Sequence, residues 1–143
     1  MNYVKAAVAF VALTAASLDV YSETYPVTVH RVIDGDTVVI AAEWLPAPLK
    51  KELGVRIYGV DTPEKGYRAN CNQERELGQA ATDFTRQLIR RSSSVNLELK
   101  DWDKYGGRVL GDLIVDGQSL RGVLLQQGFA RVYYGDRKLS WCH

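Results

Sequence analysis

Five charged side chains crowd two short stretches of this chain. Asp34 and Asp36 flank a glycine in Ile33-Asp34-Gly35-Asp36-Thr37, and Arg56, Asp61, Thr62 and Glu64 all lie between positions 56 and 64. Two or three carboxylate oxygens, completed by water, suit a hard divalent cation. An arginine offers paired planar donors that match phosphate oxygens. The spacing is not that of an EF-hand loop. Along an extended backbone Arg56 and Asp61 stand roughly 15 Å apart, so a curved strand or a turn must bring their side chains together. Each stretch also has a plainer reading. Asp-Gly-Asp forms tight turns whatever the function, and Arg56 with Asp61 could be a surface salt bridge.

The elements that must position these residues are mostly β. Tyr25 to Val32 and Thr37 to Ala42 are β-rich runs joined by a tight turn at Asp34-Gly35-Asp36. Gly54 to Val60 alternates with a period of two and stops where Pro63 removes a backbone donor. A helix is predicted from about Gln73 to Arg91, with Leu77, Ala80, Ala81, Phe84 and Leu88 on its apolar face and Asn70 or Asn72 as its cap. Val95 to Leu99 and Arg108 to Val115 read as the fourth and fifth strands. Ser119 caps a second helix with Leu120, Val123 and Leu124 inward, and Gly128 ends it. Residues from Phe129 onward read as a tail. This order predicts an α+β fold, mainly β with helices: a five-stranded OB-fold barrel flanked by two helices. A parallel sheet is not expected, because the first three strands lack helical crossovers.

Composition bounds the function only loosely. The chain has 143 residues, 46% apolar and 24% charged, with a formal net charge of +1. No strongly basic footprint advertises nucleic acid, so any phosphate site must be local. Residues 1–22 carry Lys5, then a run from Ala6 to Leu18 broken only by Thr14 and Ser17, then Val20-Tyr21-Ser22. That is the pattern of a signal peptide, too short to span a membrane. It predicts export, secreted or periplasmic, and a mature domain over 23–143 without a membrane anchor. The two cysteines of such a chain are expected to pair, Cys71 with Cys142. Two histidines far apart in sequence and no close cysteine pair leave no zinc motif.

Taken together, Val32-Ile33-Asp34-Gly35-Asp36-Thr37-Val38, the stretch from Arg56 to Glu64, and Asp103-Lys104-Tyr105-Gly106-Gly107-Arg108 resemble the three signature segments of the staphylococcal nuclease (thermonuclease) family. Leu124 to Tyr134 is similar to that family's last signature. The resemblance runs from about Tyr25 to Tyr134, in order. It implies a calcium-dependent phosphodiesterase, an endonuclease on an OB-fold that cuts DNA and RNA with little sequence preference. By motif position, Asp36 and Asp61 would be the calcium carboxylates, with the Thr62 carbonyl completing the site and Asp34 behind them. Glu64 would be the general base, Arg56 and Arg108 would clamp the phosphate, and Lys104, Tyr105 and Tyr134 would line the nucleotide site. A monomer is expected.

These roles suit the chemistry. Water attacking an anionic diester meets repulsion that a coordinated cation offsets. The chain departs from the pattern at Gly106-Gly107, where one glycine is expected before the arginine, so Arg108 is expected on a bulge or displaced. The loop after Glu64 also differs, and no long terminal helix follows Tyr134. Two further readings compete: a non-catalytic OB-fold module that binds nucleic acid, and a calcium-stabilised structural domain, which would leave the two arginines unexplained.

Overall fold

A computed structural model describes residues 23–104 and 106–143. The expected export signal over residues 1–22 and the expected substrate residue Tyr105 lie outside the described residues. The chain runs β1 (Thr24–Pro26), β2 (Val29–Asp34), β3 (Thr37–Ala41), β4 (Glu52–Ile57), β5 (Val60–Asp61), a 3-10 turn (Gly66–Arg68), α1 (Asn72–Arg90), β6 (Val95–Trp102), β7 (Arg108–Val115), β8 (Gln118–Ser119), α2 (Leu120–Gln126) and β9 (Arg131–Val132). The main sheet has the order β1-β6-β7-β4-β3-β2, with β8 added to β7. β5 pairs separately with β9, which draws a segment read as tail into the structure. This is the expected α+β, OB-type fold.

One feature of the topology corrects the sequence reading. β4 and β7 are parallel, with Gly54 opposite Arg108 and Ile57 opposite Gly111. Parallel neighbours need a long crossover, and the connection from β4 to β7 has one, because it contains α1. The register also places Arg108 beside the start of β4 rather than beside its end. Gly106 and Gly107 both take positive φ in the turn before it, at 70° and 72°. The expected bulge falls elsewhere, in β6, where the register shifts between Leu99 and Asp101.

Val38, Val55 and Ile57 from β3 and β4, Leu97, Val109 and Leu113 from β6 and β7, and Leu120 and Leu124 from α2 form the core. α2 forms as expected. The Ser119 hydroxyl accepts from the Gly122 amide at 2.9 Å, and Gly128 follows the last turn with a φ of 76°.

α1 does not bury the face that its large apolar residues suggest. Leu77 and Ala80 are exposed, and Glu74, Gly78, Ala81, Thr82 and Thr85 are buried. The reason is backbone proximity. A Cβ on Gly78 would lie 2.5 Å from the Glu64 carbonyl carbon and 2.7 Å from the Pro63 oxygen. Only small residues admit the loop that carries Glu64. Thr85 completes the face by donating its hydroxyl to the Gly35 carbonyl at 2.8 Å. Phe84 and Leu88 pack partly buried at the core's edge. The helix cap is Cys71, whose sulfur accepts from the Glu74 amide at 3.4 Å, rather than either asparagine. Cys71 is also disulfide-bonded to Cys142, across 71 residues, as expected.

Gly78→Ala separates packing from propensity. Alanine is the better helix former by about 1 kcal/mol, yet overpacking against the Glu64 backbone should make the variant less stable by on the order of 1–3 kcal/mol. Urea unfolding measures it, and a net gain in stability would mean that the loop yields freely.

Candidate metal and phosphate site

Asp36 ends the β2–β3 turn and is buried. Its Oδ2 accepts from the Thr62 amide at 3.1 Å, and its Oδ1 accepts from the Thr37 hydroxyl at 3.1 Å. The β3–β4 register sets Arg56 opposite Thr37, and that pairing aims the guanidinium at the turn. Arg56 Nη2 lies 3.3 Å from Asp36 Oδ2 and 3.8 Å from Asp61 Oδ1. The turn after β4, at Gly59 with a φ of 73°, folds the chain back so that arginine and carboxylate meet. The same nitrogen donates to the Val60 carbonyl at 3.4 Å.

Asp61 is buried on the two-residue strand β5 and has further partners that the sequence did not suggest. Lys138 Nζ sits 2.7 Å from Oδ1, and the Trp141 indole N–H donates to Oδ2 at 3.3 Å. Both come from the segment read as tail. The signal that could have found them is Cys142, since an expected disulfide to Cys71 carries its neighbours towards the loop after Glu64. Burial alone would lower the Lys138 ammonium, but the hydrogen bond and charge of Asp61 raise it by more, so it ends above its ordinary value.

Glu64 and Asp34 share a third cation, Arg68, at 3.6 Å from each. Arg68 comes from the basic loop whose role the sequence left open. The Glu64 amide donates to Glu74 Oε1 at 3.3 Å, and the Asn70 amide donates to Glu74 Oε2 at 2.7 Å. The buried Glu74 therefore braces the whole loop against α1.

Arg108, placed by the sequence with Arg56, pairs through Nε with Asp103 Oδ2. Both arginines nevertheless line one cleft of about 520 Å3, with Tyr58, Lys104, Tyr134 and Lys138. Tyr134 packs edge-on to Tyr58 at 5.5 Å between ring centres, and its hydroxyl accepts from Arg121 at 2.7 Å. Arg56 and Lys138 belong to cleft and carboxylate cluster alike. Those predicted residues that are described thus come together as two adjoining groups, an acidic floor and a cationic, aromatic wall.

Among the described residues no three His, Cys, Asp or Glu side chains converge as a ready-made metal cage. The donors present still fit a hard cation. Asp36 Oδ2 and Asp61 Oδ1 approach one and the same guanidinium nitrogen. Asp34 Oδ1 and Glu64 Oε2 are buried and accept no hydrogen bond among the described residues, the latter having Arg68 Nε at 3.6 Å as an ion-pair partner. An all-oxygen set with unsatisfied lone pairs suits an ion that fills its shell with water.

Burial pushes the Asp36 carboxyl up to about 7; the Arg56 charge opposes this and the Asp34 charge adds to it. A carboxyl raised on folding contributes stability that is full below its unfolded value and is lost as pH rises through the folded one. In a chelating buffer, Asp36→Asn should therefore be more stable than the parent at about pH 8 and lose that advantage towards roughly pH 4. Thermal melts across that range test it, and parallel pH profiles would show that Asp36 does not change its protonation on folding.

Residues 54–140 match a family model described as Staphylococcal nuclease homologue. The chain is 38% identical over 111 residues to Endonuclease YncB of Bacillus subtilis, covering 76% of this chain and 48% of that protein. It is 32% identical over 120 residues to Thermonuclease of Staphylococcus intermedius, covering 83% and 65%. To Thermonuclease of Staphylococcus hyicus it is 31% identical over 113 residues, covering 78% and 60%. The matched stretch spans less than two thirds of each of these proteins. With a family model matched over more than half its length, on the strands and turns that carry Arg56, Asp61, Glu64 and Arg108, the chain belongs to the staphylococcal nuclease family.

Proposed function

We propose that this chain is an exported, monomeric, calcium-dependent endonuclease that hydrolyses phosphodiester bonds of DNA and RNA with little base preference. The observation that carries the reading is Arg56, one guanidinium that touches two buried carboxylates and also lines the cationic cleft. The names of the relatives support the nuclease class. No helix among the described residues is long and apolar enough to cross a membrane.

Asp36, Asp61 and the Thr62 carbonyl would hold calcium, with Asp34 beside them, and the bound ion supplies positive charge that offsets the diester's own. Glu64 accepts the proton of the attacking water on its carboxylate, while its backbone amide, bonded to Glu74, fixes the loop that carries it. Arg56 donates to the phosphate from the floor of the cleft. Arg108 donates from its wall, exchanging Asp103 for a phosphate oxygen; charge on those oxygens grows as water adds, the P–O bond to the leaving sugar oxygen breaks, and that oxygen takes a proton from solvent. Lys104 and Tyr134, which line the cleft, flank the nucleotide. Contacts of this kind position a backbone without reading bases, so little sequence preference follows.

Nicking of supercoiled plasmid with calcium, and its loss in chelator, tests the reading directly. Binding without cleavage in calcium would favour a non-catalytic module instead. Glu64→Gln should keep calcium and DNA affinity and lose about 10²–10⁴ in rate, because an amide cannot accept the proton. Equal losses of affinity and rate would make Glu64 a binding residue. Arg108→Lys should lose about 10²–10³ in kcat for want of paired planar donors, and a parent-like kcat would remove Arg108 from the clamp.

A further inference from the structure

We propose that the C-terminal strap, residues 136–143, is a positioning element of the ion site: Trp141 fixes the orientation of Asp61, and Lys138 guards the oxygen that a cation would take. This rests on the ion-dependent reading above and extends it to residues outside the signature segments.

Within the strap Trp141 alone is buried, at 8% exposure, between exposed neighbours and the half-buried Cys142. It is held from three sides. Cys142 is bonded to Cys71 at the cap of α1. The Arg131 guanidinium lies over the indole, 3.7 Å from the ring centre. Arg131 also donates to the Ser140 carbonyl at 2.8 Å, and its backbone is paired with Asp61. The residue that anchors the strap is therefore the β-sheet partner of the carboxylate that the strap contacts.

The two contacts on Asp61 divide its oxygens. The indole N–H takes Oδ2 at 3.3 Å. Oδ1 is left facing Arg56 and Lys138. A carboxylate has two equivalent oxygens, and a single fixed donor on one of them selects which is presented. Lys138 already brings a charge to the presented oxygen, 2.7 Å away, and a divalent ion must displace it. Its ammonium has somewhere to go, because Lys138 also lines the cleft where a phosphate would lie.

The two residues should therefore act on calcium affinity with opposite signs. Isothermal titration of calcium into the full oxidised chain is the test, with chelator-loaded thermal melts as a control. Trp141→Phe keeps the stacked ring and removes the N–H; it should raise the calcium Kd by about tenfold, the scale of one hydrogen bond to a charged group. Its deficit in cleavage should shrink as calcium is raised. Lys138→Met, on an exposed residue that folding can spare, should lower the Kd by several-fold. A tail with only a structural role would move melting temperature and leave affinity unchanged, or weaken it in both variants; either result overturns the proposal while a calcium-binding, DNA-cutting parent leaves the ion-dependent reading intact. A parent that binds no calcium would overturn both together.

Discussion

The molecule depends on one arrangement: two buried carboxylates, Asp36 and Asp61, sharing the guanidinium of Arg56. Isolated, either anion would be costly in so dry a place. The arginine offsets part of that cost, and the Thr62 amide and the Thr37 hydroxyl contribute charge–dipole bonds to Asp36. What remains uncompensated is visible in the raised Asp36 carboxyl. A floor of this kind is poor scaffolding and good chemistry. Stability is surrendered there, and the disulfide, the core and the tightly apposed α1 restore it elsewhere.

α1 shows how the scaffold serves the floor. Its inner face is built from Gly78, Ala81, Thr82 and Thr85, which lets backbone approach backbone. Gly35 on the β2–β3 turn is equally confined, with a Cβ there meeting the Ala81 methyl at 2.9 Å. Helix, Asp turn and Glu64 loop are thus locked at a distance that larger residues would forbid. Glu74 then ties the loop to the helix through two backbone amides.

Much of this was legible in the residues, because the signature stretches are local. A strand, its turn and the carboxylates at its end sit within ten positions of each other, and strand periodicity places them. The same logic failed where contact is distant or inverted. Leu77 looked like core because it is large, yet close helix–loop packing selects for smallness and left it in solvent. Arg108 was expected on a bulge or displaced, but parallel pairing sets it in register beside Gly54, which no local pattern encodes. Arg68, Lys138 and Trp141 bear no periodic signal at all; they reach the carboxylates through a loop and a tail whose paths only the folded chain defines.

The strap also has a meaning in time. The Trp141–Asp61 contact joins residues 80 apart, and the disulfide closes a separation of 71. Strands β1 to β7 and α1 are complete by Val115, but Asp61 waits for partners made later in translation. Asp61 thus receives these partners only after residues 138–141 have been made, and a chain stopped before them lacks both.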